Sequence, residues 1–204
     1  MLRAWRLARA PALIQVVGPD GAGKGVVSRD AVMLLESAGL RVGVFHFDPL
    51  AAPRDIVVGS PHGSSVRGAM LGVLSVGRRF LRYLVAQLYY WRREQWDVVL
   101  QERGWWDQIV DPTRYRLASS SLRLVRTLGR CLARPSLVIF CLCPPGRAVM
   151  RKPELSCHEY ANQNSRWQAL SRDLPLYEVD TGGDIDSTRA QVAALINTWV
   201  GSRK

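Results

Sequence analysis

The sequence predicts an α/β protein, a three-layer sandwich in which helices cover both faces of a five-stranded parallel sheet. Five short runs are apolar on both faces, as parallel strands buried under helices are; they span residues 13–17, 42–47, 98–101, 137–143 and 176–180. Helical patterns alternate with these runs, at residues 24–38, 66–93, 107–133, 145–174 and 185–200. Such alternation requires crossover connections, which are right-handed in parallel sheets.

The elements follow one another with short connections, apart from one long loop. The first helix is closed by Gly39, after which the second strand begins. Residues 48–65 are rich in proline, glycine and small polar side chains, and they separate the second strand from the longest helix. Loops of this length inside a compact domain are usually functional. We find no internal repeat and no low-complexity linker, so residues 1–204 are predicted to form a single domain.

Composition supports a globular protein with a full core. The chain has 204 residues, of which 48% are hydrophobic and 22% are charged, values typical of globular rather than disordered chains. No apolar run reaches the ~18 residues of a membrane span, and no secretory signal is evident. We therefore expect a cytoplasmic protein with no integral membrane segment. Cys141 and Cys143 share a strand face and are predicted core thiols, the alternative being a C-x-C metal or redox pair.

The chain is strongly basic, with a formal net charge of +11 carried by 25 arginines and three lysines. This balance suits phosphates, nucleic acid or an acidic membrane surface, but no nucleic-acid-binding motif accompanies it, so no nucleic acid partner is expected. The basic N-terminal segment, residues 1–11, places Arg3, Arg6 and Arg9 on one helical stripe. We favour a basic tail over a short interfacial helix, because ten residues offer little apolar area.

A phosphate-binding loop is the most specific motif in the sequence. Residues 18–25 read G-P-D-G-A-G-K-G, follow the first strand and lead into the first helix. Glycines let backbone amides curl around a phosphate, the helix N-terminus adds positive potential, and Lys24 supplies a point charge. The alternative is a glycine-rich turn with a solvated lysine. The last motif position, which normally carries the Ser or Thr hydroxyl that binds Mg²⁺, is Gly25.

Polar residues follow several of the predicted strands at the carboxyl edge, where ligands bind in open parallel sheets. His46 to Pro49 follow the second strand, Glu102 and Arg103 the third, and Thr181 to Gly183 the last. Together with the phosphate loop they predict one site at this edge.

With these motifs the chain resembles the thymidylate kinase family, especially its divergent bacterial thymidylate kinase-like branch. The resemblance covers most of the chain and rests on residues 18–24, 61–63, 102–107, 110–116 and 151–156. It implies the P-loop NTPase fold of nucleotide kinases, ATP as the phosphoryl donor with Mg²⁺, and a lid over residues 144–156.

The resemblance also implies roles for single residues. The nucleotide phosphates would be held by Gly18, Asp20, Gly21, Ala22, Gly23, Lys24, Gly25 and Val26. The catalytic residues would be Lys24, Arg103 and the lid residues Arg147 and Arg151, assisted by Lys152, because phosphoryl transfer depends on positioning and charge neutralisation. Glu102 stands where an aspartate organises the metal. The acceptor would contact Asp20, Asp48, Arg103, Trp106 and Asp107.

The sequence departs from the family pattern at three positions. Gly25 removes the metal-binding hydroxyl, and Ser28, about 4.5 Å further along the helix, would reach the metal only through water. Glu102 replaces the expected aspartate. Asp48 follows the second strand where thymidylate kinases place an arginine that grips the monophosphate. Because Asp20 and Asp48 face only Arg103 in this count, we expect an acceptor less anionic than thymidylate, such as a nucleoside, a sugar or a glycan-related alcohol.

The sequence thus predicts an ATP-dependent phosphotransferase of the nucleoside or nucleotide kinase type, acting on a small hydroxyl- or phosphate-bearing acceptor. A homodimer is compatible with this prediction. The alternative is a degenerate P-loop kinase that serves as a nucleotide-binding or partner module without turnover, which Gly25 would favour.

Overall fold

Strands and helices alternate along the computed structural model, which describes residues 10–46, 69–92 and 95–203. The strands are β1 Ala12–Val17, β2 Val42–His46, β3 Val98–Glu102, β4 Leu137–Leu142 and β5 Leu176–Asp180. The helices are α1 Lys24–Ser37, α2 Ala69–Arg92, α3 Asp107–Val110, α4 Ser119–Gly129, α5 Pro145–Arg151, α6 Cys157–Ala169 and α7 Ile185–Gly201, and a 3₁₀ turn at Leu170–Arg172 extends α6. Residues 1–9 of the basic segment, Asp48 with the loop 48–65, and the motif at 61–63 lie outside the described residues.

All five strands are parallel and form one sheet in the order β2-β3-β1-β4-β5. The predicted five-stranded parallel sheet is therefore confirmed. In the register of the sheet, Val16 lies beside Glu102, and His46 lies beside Glu102 from the other side. Glu102 thus occupies the last position of a strand with neighbours on both sides.

The two largest hydrophobic clusters of the described residues lie on the two faces of the sheet. Ile14 and Val16 of β1 pack toward α1 and α7, in a cluster that includes Leu35 and Ile196. Val17 faces the other way, in a cluster built from α2, α4 and the tryptophans of the connection before α3. Because each strand sends alternate side chains to opposite faces, one apolar strand can serve both cores. The result is the expected arrangement of helix, sheet and helix.

Two predicted helices are interrupted. The prediction of one helix over 107–133 is wrong, because α3 ends at Val110 and α4 begins at Ser119; Pro112 favours an extended conformation at Asp111 and stops the helix there. The predicted helix over 145–174 is likewise divided, because Lys152 is extended and precedes Pro153. Ser156 then caps α6, its hydroxyl accepting a hydrogen bond from the Glu159 amide at 3.1 Å.

The cysteines and the helices agree with two further expectations. Cys141 and Cys143 are buried in the same core cluster, and all four cysteines are free. Throughout the three described stretches of the chain, no helix is both long enough and apolar enough to pass through a membrane.

Candidate active site

The glycine loop lies where the sheet changes its direction of winding. The connection from β1 leads to β2 on one side, whereas β4 and β5 continue the sheet on the other side. Such a switch point leaves a crevice beyond the carboxyl end of the central strand, and ligands of open parallel sheets bind there. Residues 18–23 follow β1 directly into this crevice.

Glycine is required by the backbone path of this loop. Gly18, Gly21 and Gly23 all have positive φ angles, of 144°, 84° and 82°, a region that side chains disfavour. Gly21 also packs tightly, because a β-carbon added there would lie 2.5 Å from the carbonyl oxygen of Ala148 in α5. The loop is therefore fixed by both its own conformation and its contact with α5.

The start of α1 presents backbone donors that the protein does not use. Gly23 is the N-cap residue and supplies no side-chain cap. In the described part of the chain, the amides of Gly23, Lys24 and Gly25 donate no hydrogen bond to a carbonyl. Because α1 is 14 residues long, these free amides stand at the positive end of a helix dipole. Together they form a cradle whose chemistry suits an anion such as a phosphate.

The Lys24 side chain folds back over the loop. Its ammonium nitrogen donates to the carbonyls of Gly18 at 2.8 Å and Pro19 at 2.6 Å, and it lies 3.7 Å from Asp20. Burial and the neighbouring Arg103 lower the pKa of Lys24 to about 8, although Asp20 acts in the opposite direction. Lys24 thus stands beside the amide cradle as a charge that a bound anion would stabilise.

Asp20 is the centre of an ionic cluster. One oxygen of its buried carboxylate accepts a hydrogen bond from Arg103, and the other accepts one from Arg114 at 2.5 Å. Burial alone would raise the pKa of Asp20, but Arg103, Lys24 and Arg114 together hold it well below its ordinary value. One carboxylate therefore faces three cations, and the cluster keeps an excess of positive charge.

The backbone after β3 aims Arg103 at this cluster. Arg103 has a left-handed conformation with φ 62°, which is uncommon for a residue with a side chain and is typical of functional sites. Its amide donates to the Val16 carbonyl at 3.0 Å. Asp107 holds the same turn, because its carboxylate accepts the Gly104 amide at 2.6 Å. Burial raises the pKa of Asp107 to about 6, and Arg103 opposes the shift.

Arg114 belongs to the motif at residues 110–116, but it was not among the predicted site residues. The residue lies in the connection between α3 and α4, where its amide donates to Asp111 at 3.1 Å. Its guanidinium adds a second arginine beside Asp20. The expectation of a weakly anionic acceptor set the charges of Asp20 and Asp48 against Arg103 alone. Arg114 adds a second positive charge to that comparison, and Asp48 lies outside the described residues.

Residues 144–156, which the resemblance predicts to be a lid, contact the loop through one of their two predicted arginines. The Arg151 guanidinium donates to the Thr181 carbonyl at 3.1 Å and lies 3.8 Å from the position of a Gly23 β-carbon. Arg147 is exposed; its amide donates to the Pro144 carbonyl at 3.0 Å, and no hydrogen bond or ion pair joins its side chain to another described residue. Lys152 pairs with Glu154 at 3.0 Å. Arg151 is thus placed beside the amide cradle, and Lys152 lies against the loop before it, its β-carbon 3.4 Å from the position of a Gly21 β-carbon.

Two predicted acceptor contacts are buried. Trp106 is 7% exposed and packs in the core cluster beside Gly129 of α4, and its contact with the acceptor stays a prediction. Trp105 is buried with it and donates its indole N–H to the Val125 carbonyl at 2.8 Å. Asp107 is 4% exposed, and its bond to Gly104 supports the turn that carries Arg103; its contact with the acceptor also stays a prediction.

The residues at this edge fit a metal that remains largely hydrated. Among the residues that the structure describes, no three His, Cys, Asp or Glu side chains form a metal-binding group. Glu102 ends β3 at this edge of the sheet, and Gly25 offers no side-chain ligand. Ser28 carries a buried hydroxyl that has no hydrogen-bond partner. Mg²⁺ commonly keeps several waters and binds through one or two carboxylates plus phosphates, and Glu102 and Ser28 suit that mode.

No protein-family model matches the chain, and no curated protein matches it.

Proposed function

We propose that this protein is a P-loop phosphotransferase of the nucleoside or nucleotide kinase type, which uses ATP and Mg²⁺ to phosphorylate a small acceptor. The observation that carries the proposal is the pairing of a free amide cradle at residues 23–25 with the charged side chains Lys24, Arg103, Arg114 and Arg151 at one sheet edge. Bound ATP would supply the phosphoryl group that is transferred. The loop amides and Lys24 would hold its phosphates, and Arg151 would neutralise charge beside them.

The acceptor would lie on the side of Asp20 that faces away from α1. Arg103 and Arg114 form a pair of guanidinium groups with the geometry to bind a phosphate or to orient hydroxyls through Asp20. The low pKa of Asp20 makes its carboxylate a poor proton acceptor, so we assign it an orienting role. The two arginines favour a phosphate-bearing acceptor over a neutral one. A comparison of thymidylate with nucleoside and sugar acceptors tests this preference.

Nucleotide binding tests the first half of the proposal. We expect calorimetry to detect ATP in the presence of Mg²⁺ and to show a large loss of affinity in Lys24→Ala. Arg41→Ala is the matched control, because this substitution also removes one positive charge. Arg41 forms a surface ion pair with Asp97 at the amino ends of β2 and β3, away from the glycine loop. Absence of ATP and ADP affinity in the native protein would refute the proposal.

Turnover separates this proposal from the alternative of a nucleotide-binding partner module. Gly25 favours the alternative, because it removes a metal ligand from the loop. If the native protein binds ATP but phosphorylates no member of a nucleoside, nucleotide and sugar panel, the module is the better description. The four free cysteines suit the reducing cytoplasm, where we infer that the protein acts.

A further inference from the structure

The long helix α2 is apolar on the side that faces away from the sheet. Of the 13 large hydrophobic side chains that are exposed among the described residues, seven belong to α2 and are 47–75% exposed. They are Met70, Leu71, Val73, Leu74, Leu81, Val85 and Leu88. We call this set the outer face of α2.

These side chains form a continuous surface. At 100° per residue they fall within an arc of about 160°, and only Gly77 and Arg78 interrupt the apolar character of its middle turns. The opposite side of the helix is apolar as well, since Val76, Tyr83 and Ala86 are buried against the sheet. Exposed apolar surfaces of this extent mark interaction sites.

The charges around the outer face select its partner. Neither α2 nor α4 contains an aspartate or a glutamate. The two helices pack side by side, because a β-carbon at Gly72 would lie 2.7 Å from the Ser121 hydroxyl and the Ala133 amide donates to Gln87 at 3.1 Å. Their exposed arginines are Arg78, Arg123, Arg126 and, at the C-cap of α4, Arg130.

The opposite layer of the protein has a different character. There the three acids of α1 and α7 balance three bases: Asp30, Glu36 and Asp186 against Lys24, Arg29 and Arg189. The excess of positive charge is thus associated with the same layer that exposes the apolar side chains. Exposed apolar side chains and exposed arginines on neighbouring helices that lack carboxylates are the pattern by which a protein surface binds an anionic lipid interface.

We propose that the outer face of α2 docks this protein on the surface of an anionic phospholipid bilayer. The leucines would enter the boundary between head groups and acyl chains, and the arginines of α2 and α4 would bind lipid phosphates. A second copy of the chain is a poorer partner, because two such faces would bring both sets of arginines together with no carboxylate from either helix. The proposal is independent of the phosphotransferase function.

Vesicle sedimentation with the full chain tests the proposal. We expect binding to phosphatidylcholine vesicles that contain about 30% phosphatidylserine, with little binding to phosphatidylcholine alone and a marked loss at high salt. The double variant Leu74→Gln/Leu81→Gln keeps good helix formers in exposed positions, and it should bind roughly 20-fold more weakly because two half-exposed leucines no longer enter the interface. Arg123→Gln/Arg126→Gln should lose about fivefold for each arginine.

Met33→Gln is the matched control, because Met33 is 55% exposed on α1 in the opposite layer; its binding should equal that of the native protein. Unchanged binding of the double leucine variant would overturn the assignment to this face. If native protein ignores the vesicles but forms a dimer that the leucine variant abolishes, the partner is a second copy. If it ignores them and stays monomeric, the proposal is also wrong.

Discussion

The shifted pKa of Lys24 predicts how nucleotide affinity depends on pH. Lys24 is buried beside Arg103, and its pKa is about 8 rather than 10.5. A bound phosphate would stabilise the charged ammonium of Lys24. Because Lys24 is only partly protonated in the free protein at alkaline pH, ATP binding would then be accompanied by proton uptake. From this pKa, Lys24 is about 90% protonated at pH 7 and about 10% protonated at pH 9. We therefore expect affinity to fall by roughly tenfold between pH 7 and pH 9.

Calorimetry in two buffers with different ionisation heats measures this linkage directly. At pH 8.5 the native protein should take up most of one proton per ATP bound, at a pH well above the pKa of about 6 of a phosphate monoester. Lys24→Arg keeps a permanent charge at the position and should show no proton uptake, whatever its affinity. Equal proton uptake by the native protein and Lys24→Arg, or a native affinity that stays constant up to pH 9, would refute the assignment to Lys24.

Three further predictions concern residues of the loop and its support. Asp20→Asn should lower the free energy of unfolding by about 3–5 kcal/mol, because it leaves Arg103 and Arg114 without their carboxylate partner. Added phosphate should restore part of this loss in thermal denaturation. An equal loss in the control Asp30→Asn would contradict this account. Gly25→Ser should strengthen Mg²⁺-dependent ATP binding, because it adds a hydroxyl and its side chain meets open space. Gly25→Ala gains helix propensity without a hydroxyl and should not strengthen the binding. Equal gains in both variants would exclude an effect on the metal. The raised pKa of Asp107 means that its protonated form is favoured in the fold, so this contribution to stability is complete below pH 3.8 and is lost as the pH rises through about 6. Denaturant titrations should therefore show the native protein losing up to about 3 kcal/mol relative to Asp107→Asn across that window, and parallel curves would contradict the shift.

The fold could be predicted largely because its signals are local. Each parallel strand is a short apolar run, and the glycine loop is specified by residues that are neighbours in the sequence. The interrupted helices were missed where proline stops a helix, at Pro112 and Pro153, inside stretches whose apolar pattern continues across the break.

The site was predictable only in part, since its contacts cross long stretches of sequence. Asp20 and Arg114 are 94 positions apart, and no local pattern brings them together. The tryptophans show a second limit. Nothing in the sequence around Trp105 and Trp106 indicated that they pack inward. Both lie in the turn before α3, and both are buried in the core.

The close contact between Gly21 and Ala148 limits how the site can close. With the loop backbone seated against the carbonyl of Ala148, α5 has no gap through which to swing toward the loop without forcing the two backbones into each other. If the site binds a nucleotide as we propose, we expect the tightening around it to come from the ends of side chains, above all Arg151, or from the turn at residues 152–156. The contact of Gly21 with Ala148 makes the side chains, rather than these two backbones, the parts of the site that we expect to move.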